Sequence, residues 1–139
     1  MQIGVIMPTD FGDAAELLAD VCALEAAGAA MLEVEGGDQA LLGAIAAVTH
    51  RLRLRVPAPA ESIGTLQRLS RGRVVEGPPA GETWARVPMP PDREAWAEML
   101  REQEAAGADG VIVEWDPRLI DLLRNPDPED RTDLLMSTG

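Results

Sequence analysis

The chain has 139 residues, 46% of them hydrophobic and 26% charged, which suits one soluble domain with one core. A closed eight-stranded β/α barrel needs roughly 250 residues, so the length excludes a complete one. The 24 acidic side chains outnumber 12 basic ones, all of them Arg, and the net charge of -12 excludes nucleic acid and anionic membrane as partners, because both require positive potential.

Ile3 to Met7 is a short apolar run ended by Pro8, the pattern of a parallel strand covered on both faces. Asp13 and Glu16 have capping-box spacing, and Leu17, Leu18, Val21, Cys22 and Leu24 follow at helical period as far as Gly28. Met31 to Val34 reads as the second strand, and Asp38 caps a helix carrying Leu41, Leu42, Ile45 and Val48. Leu52, Leu54 and Val56 alternate with Arg as a third strand ended by Pro57 and Pro59. Ser62 caps a short helix with Ile63, Leu66 and Leu69, and Arg73 to Val75 is a brief fourth strand. Residues 76–91 are broken by Gly77, Pro78, Pro79, Gly81, Pro88, Pro90 and Pro91 and read as a loop or linker. A helix from Asp92 carries Trp96, Met99 and Leu100 and ends at Gly107. Val111 to Val113 is the fifth strand, and Asp116-Pro117 opens a last helix stopped by Asn125-Pro126.

Residues 1–126 therefore form one domain, and residues 127–139 an acidic tail. The string Glu-Ala-Ala-Gly-Ala occurs at Glu25 and again at Glu104, each time between a helix and a strand, as a repeated βα unit requires. Right-handed crossovers then give a parallel sheet with outer helices. The expected fold is an α/β, partial (β/α) barrel of about five parallel strands. Its two open edges invite pairing, so a homodimer that closes the barrel is expected, with the fourth strand of one copy beside the fifth of the other. The Pro-rich segment and the acidic tail folded over the edges of a monomer are the alternative. Cys22 is the single cysteine, so the chain has no internal disulfide, and a cytoplasmic location is expected. MQIGVIMPTDFGD lacks the look of a signal peptide, and no run is long enough to span a membrane.

Four segments carry a resemblance: IGVIMPTD, EAAGAAMLEVEGGD, LLGAIAAVTHRLRLRV and LQRLSRGRVVEG, with GADGVIVEWDPRLIDLLRNPDPEDR as a fifth near the end. Together they resemble the luciferase-like oxidoreductases that use flavin mononucleotide or the deazaflavin F420. Ser70-Arg71-Gly72-Arg73 stands where that family has a Leu-Ser-Gly-Gly-Arg-like turn. The resemblance implies a barrel fold, FMN or F420 as cofactor, and oxidoreductase or monooxygenase chemistry on a small organic substrate. The family barrel has eight strands, and the missing part falls between Val75 and Asp92, where later strands would bring flavin contacts. No cofactor-binding residue is therefore assigned, and a cofactor-free protein stays open.

In β/α folds the working edge is the C-terminal end of the strands. Asp10, Glu35 and Glu114 stand there as candidate catalytic carboxylates, with Thr9, Glu76 and Trp115 as candidate substrate contacts. Such carboxylates could also serve a cofactor-independent isomerase, cyclase or dehydratase, and a non-catalytic binding partner is the third reading. No metal site is expected. Pairing with the chain's acids is the simpler account of Arg51, Arg53, Arg55 and Arg73, although together they could hold phosphate. Cys22 is expected in the core, and Trp84 either at a subunit contact or over a pocket.

Overall fold

The computed structural model describes residues 1–10, 12–57, 63–77 and 79–125. The expected cap at Ser62, the loop residues 58–61 and the acidic tail lie outside them. The elements follow in order as β1 (Gln2–Met7), α1 (Ala14–Ala27), β2 (Met31–Val34), α2 (Gln39–Val48), β3 (Arg53–Val56), α3 (Ile63–Ser70), β4 (Val74–Glu76), β5 (Trp84–Arg86), α4 (Arg93–Ala105), β6 (Gly110–Glu114) and α5 (Leu119–Arg124). All strands are parallel, in the order β4-β3-β2-β1-β6-β5. The sheet curls into a half-barrel with helices outside, the architecture that the alternating pattern predicts.

The helix starts are those legible in the sequence. The Asp13, Asp38 and Asp92 side chains accept from the backbone N–H of Ala15, Leu41 and Ala95, satisfying donors that a helix leaves free. Gly28 and Gly107 both take left-handed backbone, φ 107° and 87°, to turn helix into strand at the two Glu-Ala-Ala-Gly-Ala strings. The identical strings have different tasks. Glu104 is exposed, whereas Glu25 is buried and accepts from the backbone N–H of His50, Arg51 and Leu52 at the start of β3.

Period-two alternation divides the strands between two faces. Ile3, Val5, Met7, Leu32, Val34, Leu54, Val56, Val111 and Val113 face outward and form one core with Leu17, Leu24, Leu42, Ile45, Leu66, Trp96 and Leu119 of the helices. Cys22 is not part of this core. It is exposed at the rim of α1, where its thiol donates to the Val48 carbonyl at 3.5 Å, because Leu17, Val21 and Leu24 fill the stripe facing the sheet. Among the described residues Arg73 forms no ion pair with an acid. Its guanidinium donates to the carbonyls of Ala46, Thr49, Leu52 and Ser70 and to the Thr49 hydroxyl, closing the C-terminal end of α2.

The sheet has six strands rather than five. The additional strand is β5, inside the Pro-rich segment, and it pairs with β6 through Trp84↔Gly110, Ala85↔Val111 and Arg86↔Ile112. This changes the exposed edge: β5 covers β6, so the expected pairing of the fourth strand with residues 111–113 of another copy has no free edge to use. The two edges are β4 and β5.

Every helical crossover steps the chain one strand in the same direction. The return from β4 to β5 passes from one edge of the sheet to the other in the opposite direction, and a right-handed return must then lie on the face without helices. Glu82, on this return, reaches Arg53 of β3 and Gln2 of β1, which places it on the inner, concave face. The order is that of an eight-stranded barrel with two consecutive units omitted between β4 and β5. The connection fills part of the space left inside.

Candidate functional site

The inner face has three rows. Across the lowest lie Gln2, Gly110 and Trp84, and across the middle Arg53, Met31, Gly4, Ile112 and Arg86. Nearest the C-terminal edge are Val75, Arg55, Glu33, Ile6 and Glu114. Glycine at 4 and 110 is what lets the Trp84 ring lie flat on the sheet. A Cβ built on Gly110 would meet ring carbons at 2.5–2.7 Å, and one on Gly4 would meet them at 3.2 Å. The ring packs with Ile6, Met31 and Ile112 and closes the lower part of the trough, so Trp84 serves the inside of its own chain.

The same ring takes part in a polar cluster. Arg53 grips the Glu82 carboxylate with both terminal nitrogens, at 2.9 and 3.0 Å, and stands 5.7 Å from the Trp84 ring centre. Trp84 Nε1 and Gln2 Nε2 donate to the same carboxylate at 3.2 and 3.3 Å, and Gln2 returns an acceptor to Arg53 at 2.7 Å. The Arg53 hydrogen bonds above all, helped by those from Trp84 and Gln2, hold Glu82 at a pKa of about 2, and they raise that of Arg53 in turn.

In the upper row, Glu33 and Glu114 flank Ile6 from opposite sides, roughly 10 Å apart by strand spacing. Arg55 is the register partner of Glu33, and Arg86 lies beside Ile112 just below Glu114. Among the described residues, the side chains of Glu33, Arg55, Arg86 and Glu114 have no hydrogen-bond or ion-pair partner. Beside this row Arg86, Val87, Pro88, Met89 and Glu114 line an opening of about 350 Å³.

The residues chosen from the sequence occupy the C-terminal edge but are not gathered into one pocket. Thr9 and Asp10 follow β1 and are exposed. Glu35 is exposed at the start of a short 3-10 turn after β2, and Glu76 ends the edge strand β4. Glu114 alone of the three candidate catalytic carboxylates belongs to the inner-face row. Trp115 turns to the helical side: its backbone N–H donates to the Ile6 carbonyl, and its side chain lines a cavity of about 160 Å³ with Met7, Asp13, Glu16, Leu17 and Asp20. Asp116 accepts from the Arg118 guanidinium and its backbone N–H, which lower its pKa.

Sequence reasoning missed Glu33 and Arg86. Glu33 lies inside a strand rather than past its end, although the alternation in Met31-Leu32-Glu33-Val34 already sets it on the face opposite Leu32, and Arg86 belongs to β5, within the segment that the sequence reads as a loop. Among the described residues no group of three His, Cys, Asp or Glu side chains is placed to hold a metal ion, and no helix is long and apolar enough to cross a membrane. No protein-family model matches the chain, and no curated protein matches it.

Proposed function

We propose that the chain is a shortened relative of the luciferase-like oxidoreductases, one that takes a flat, anionic organic cofactor, FMN or F420, along its inner trough and completes the site by pairing with a second copy. The observation that supports this is a set of charges on a barrel-ordered sheet: Arg55, Glu33 and Glu114 in the row of Ile6, and Arg86 in the row below, have no partners among the described residues. A guanidinium on a concave surface without a partner is a seat for a phosphate or carboxylate, and Arg55 and Arg86 stand on the two sides of the row.

One chain fits such a cofactor on one side only. Arg55 and Arg86 would hold its anionic groups, while Ile6 and the Trp84 ring would give its ring system an apolar wall. The trough stays open above them. Bound there, a flavin or F420 supplies hydride transfer to or from a small organic substrate. Glu33 and Glu114 are the carboxylates near enough to hold or pass a proton, with Thr9, Asp10, Glu35 and Glu76 around the entrance. The edge strands β4 and β5, the two ends of the sheet among the described residues, suit a second copy related by a two-fold axis along the barrel, which sets β4 of each chain beside β5 of the other and covers the open side.

Titrating FMN and F420 with the protein, followed by cofactor fluorescence, tests the cofactor reading. Saturable binding of one of them is expected, weakened about tenfold by Arg55→Gln or Arg86→Gln, the effect of losing one charge-assisted contact. Unchanged fluorescence of both cofactors, or binding indifferent to both substitutions, contradicts it.

A further inference from the structure

The connection between β4 and β5 meets the inner face through Glu82, with Pro79 buried before it and Thr83 bonded to Asp109 after it. Among the described residues 79–82, the hydrogen bonds to the rest of the protein all run through the Glu82 carboxylate; the other bond within the segment is its own turn, Glu82 N–H to the Pro79 carbonyl. That carboxylate sits in a cradle of donors from three separate elements: the two-pronged Arg53 fork from β3, the Gln2 amide from β1 and the indole N–H of Trp84 from β5. A fork with further N–H donors beside it is how proteins hold an oxyanion of a ligand. The cradle is also reachable. A depression of about 540 Å³ at the N-terminal end of the sheet is lined by Gln2, Arg51, Arg53 and residues 25–30, Glu25 among them, so two members of the cradle, Gln2 and Arg53, face it. Arg53 and Glu82 each keep about a quarter of their side-chain surface exposed, at 27% and 26%, so the pair is not sealed in the core.

We infer that Arg53, Gln2 and the Trp84 indole form a second, oxyanion-binding site, for a phosphate- or carboxylate-bearing ligand, which Glu82 occupies as an internal competitor. A ligand anion that takes the fork displaces the Glu82 carboxylate, the hydrogen-bonded tie between residues 79–82 and the inner face. The site thus joins anion binding at the N-terminal end to release of Glu82 from the inner face. It shares the Trp84 ring with the cofactor reading but uses neither Arg55 nor Arg86, so the Arg55→Gln and Arg86→Gln substitutions test that reading alone.

Calorimetric titration of the full chain with inorganic phosphate, and in a parallel arm with acetate, reads the cradle directly. A closed latch lowers apparent affinity by the fraction of time the site is occupied, so Glu82→Gln is expected to bind at least one of the two anions about tenfold more tightly than the wild type. Arg53→Gln in the Glu82→Gln background is expected to abolish that binding. Glu82→Asp keeps the charge but shortens its reach, and it is expected to give a smaller gain in the same direction if Glu82→Gln folds poorly. Equal affinity in the wild type and in Glu82→Gln and Glu82→Asp overturns the inference. So does binding that persists without Arg53, which would mark an adventitious ion only.

Discussion

Replacing Glu25 by alanine is expected to lower the free energy of unfolding by about 3–5 kcal/mol, read from urea denaturation. The carboxylate is only 8% exposed and accepts from three consecutive backbone N–H groups, of His50, Arg51 and Leu52, at 2.7–3.1 Å. Alanine would leave those donors without an acceptor at the point where the chain enters β3. Burial alone would raise the Glu25 pKa, but the N–H groups of Arg51, Leu52 and His50, aided by the nearby His50 charge, bring it below its usual 4.5. A carboxyl whose pKa is lower in the folded than in the unfolded state contributes stability that is complete above the unfolded value and is lost as pH falls through the folded one. Stability should therefore decline below about pH 4.5, and more steeply in the wild type than in Glu25→Gln. Glu82 and Asp116 titrate in the same sense, so the difference between the two proteins isolates Glu25.

Gly110→Val is expected to cost about 3 kcal/mol and to expose an indole, seen as a red shift of tryptophan emission. Any Cβ at this position falls on the Trp84 ring, 2.5–2.7 Å from its carbons, and the same ring atom, Cζ3, also lies over Gly4. Displacing the ring would also strip the indole N–H from Glu82 and loosen β5 at its first residue. Trp84→Ala alone should be costly too, since it uncovers Ile6, Met31 and Ile112. Combined with Gly110→Val, it should cost less than the sum of the two, as contacting residues do in a double-mutant cycle. Strict additivity would mean that the ring does not lie on Gly110.

The strands that carry the fold were legible because their apolar runs are bounded by Pro and Gly: β1 before Pro8, β2 after Gly28, β3 before Pro57 and β6 after Gly107. The repeated Glu-Ala-Ala-Gly-Ala string also had its expected left-handed glycines. β5 was not legible. Trp84-Ala85-Arg86 has no apolar run, and its pairing rests on Trp84 meeting glycine across the sheet, a match between residues 26 apart in sequence that no local pattern encodes. The candidate site was legible as an edge but not as a face. Counting residues past each strand found Asp10, Glu35, Glu76 and Glu114, while the inner-face partners Glu33, Arg55 and Arg86 depend on register across the sheet. The role of Glu82 is equally non-local, since Arg53 is 29 positions away from it.

We propose that this half-barrel completes its site with a second copy through β4 and β5. Light scattering on the purified chain at micromolar concentration tests it most directly. The account predicts a particle of twice 14.8 kDa, and a homogeneous 14.8 kDa species would contradict it.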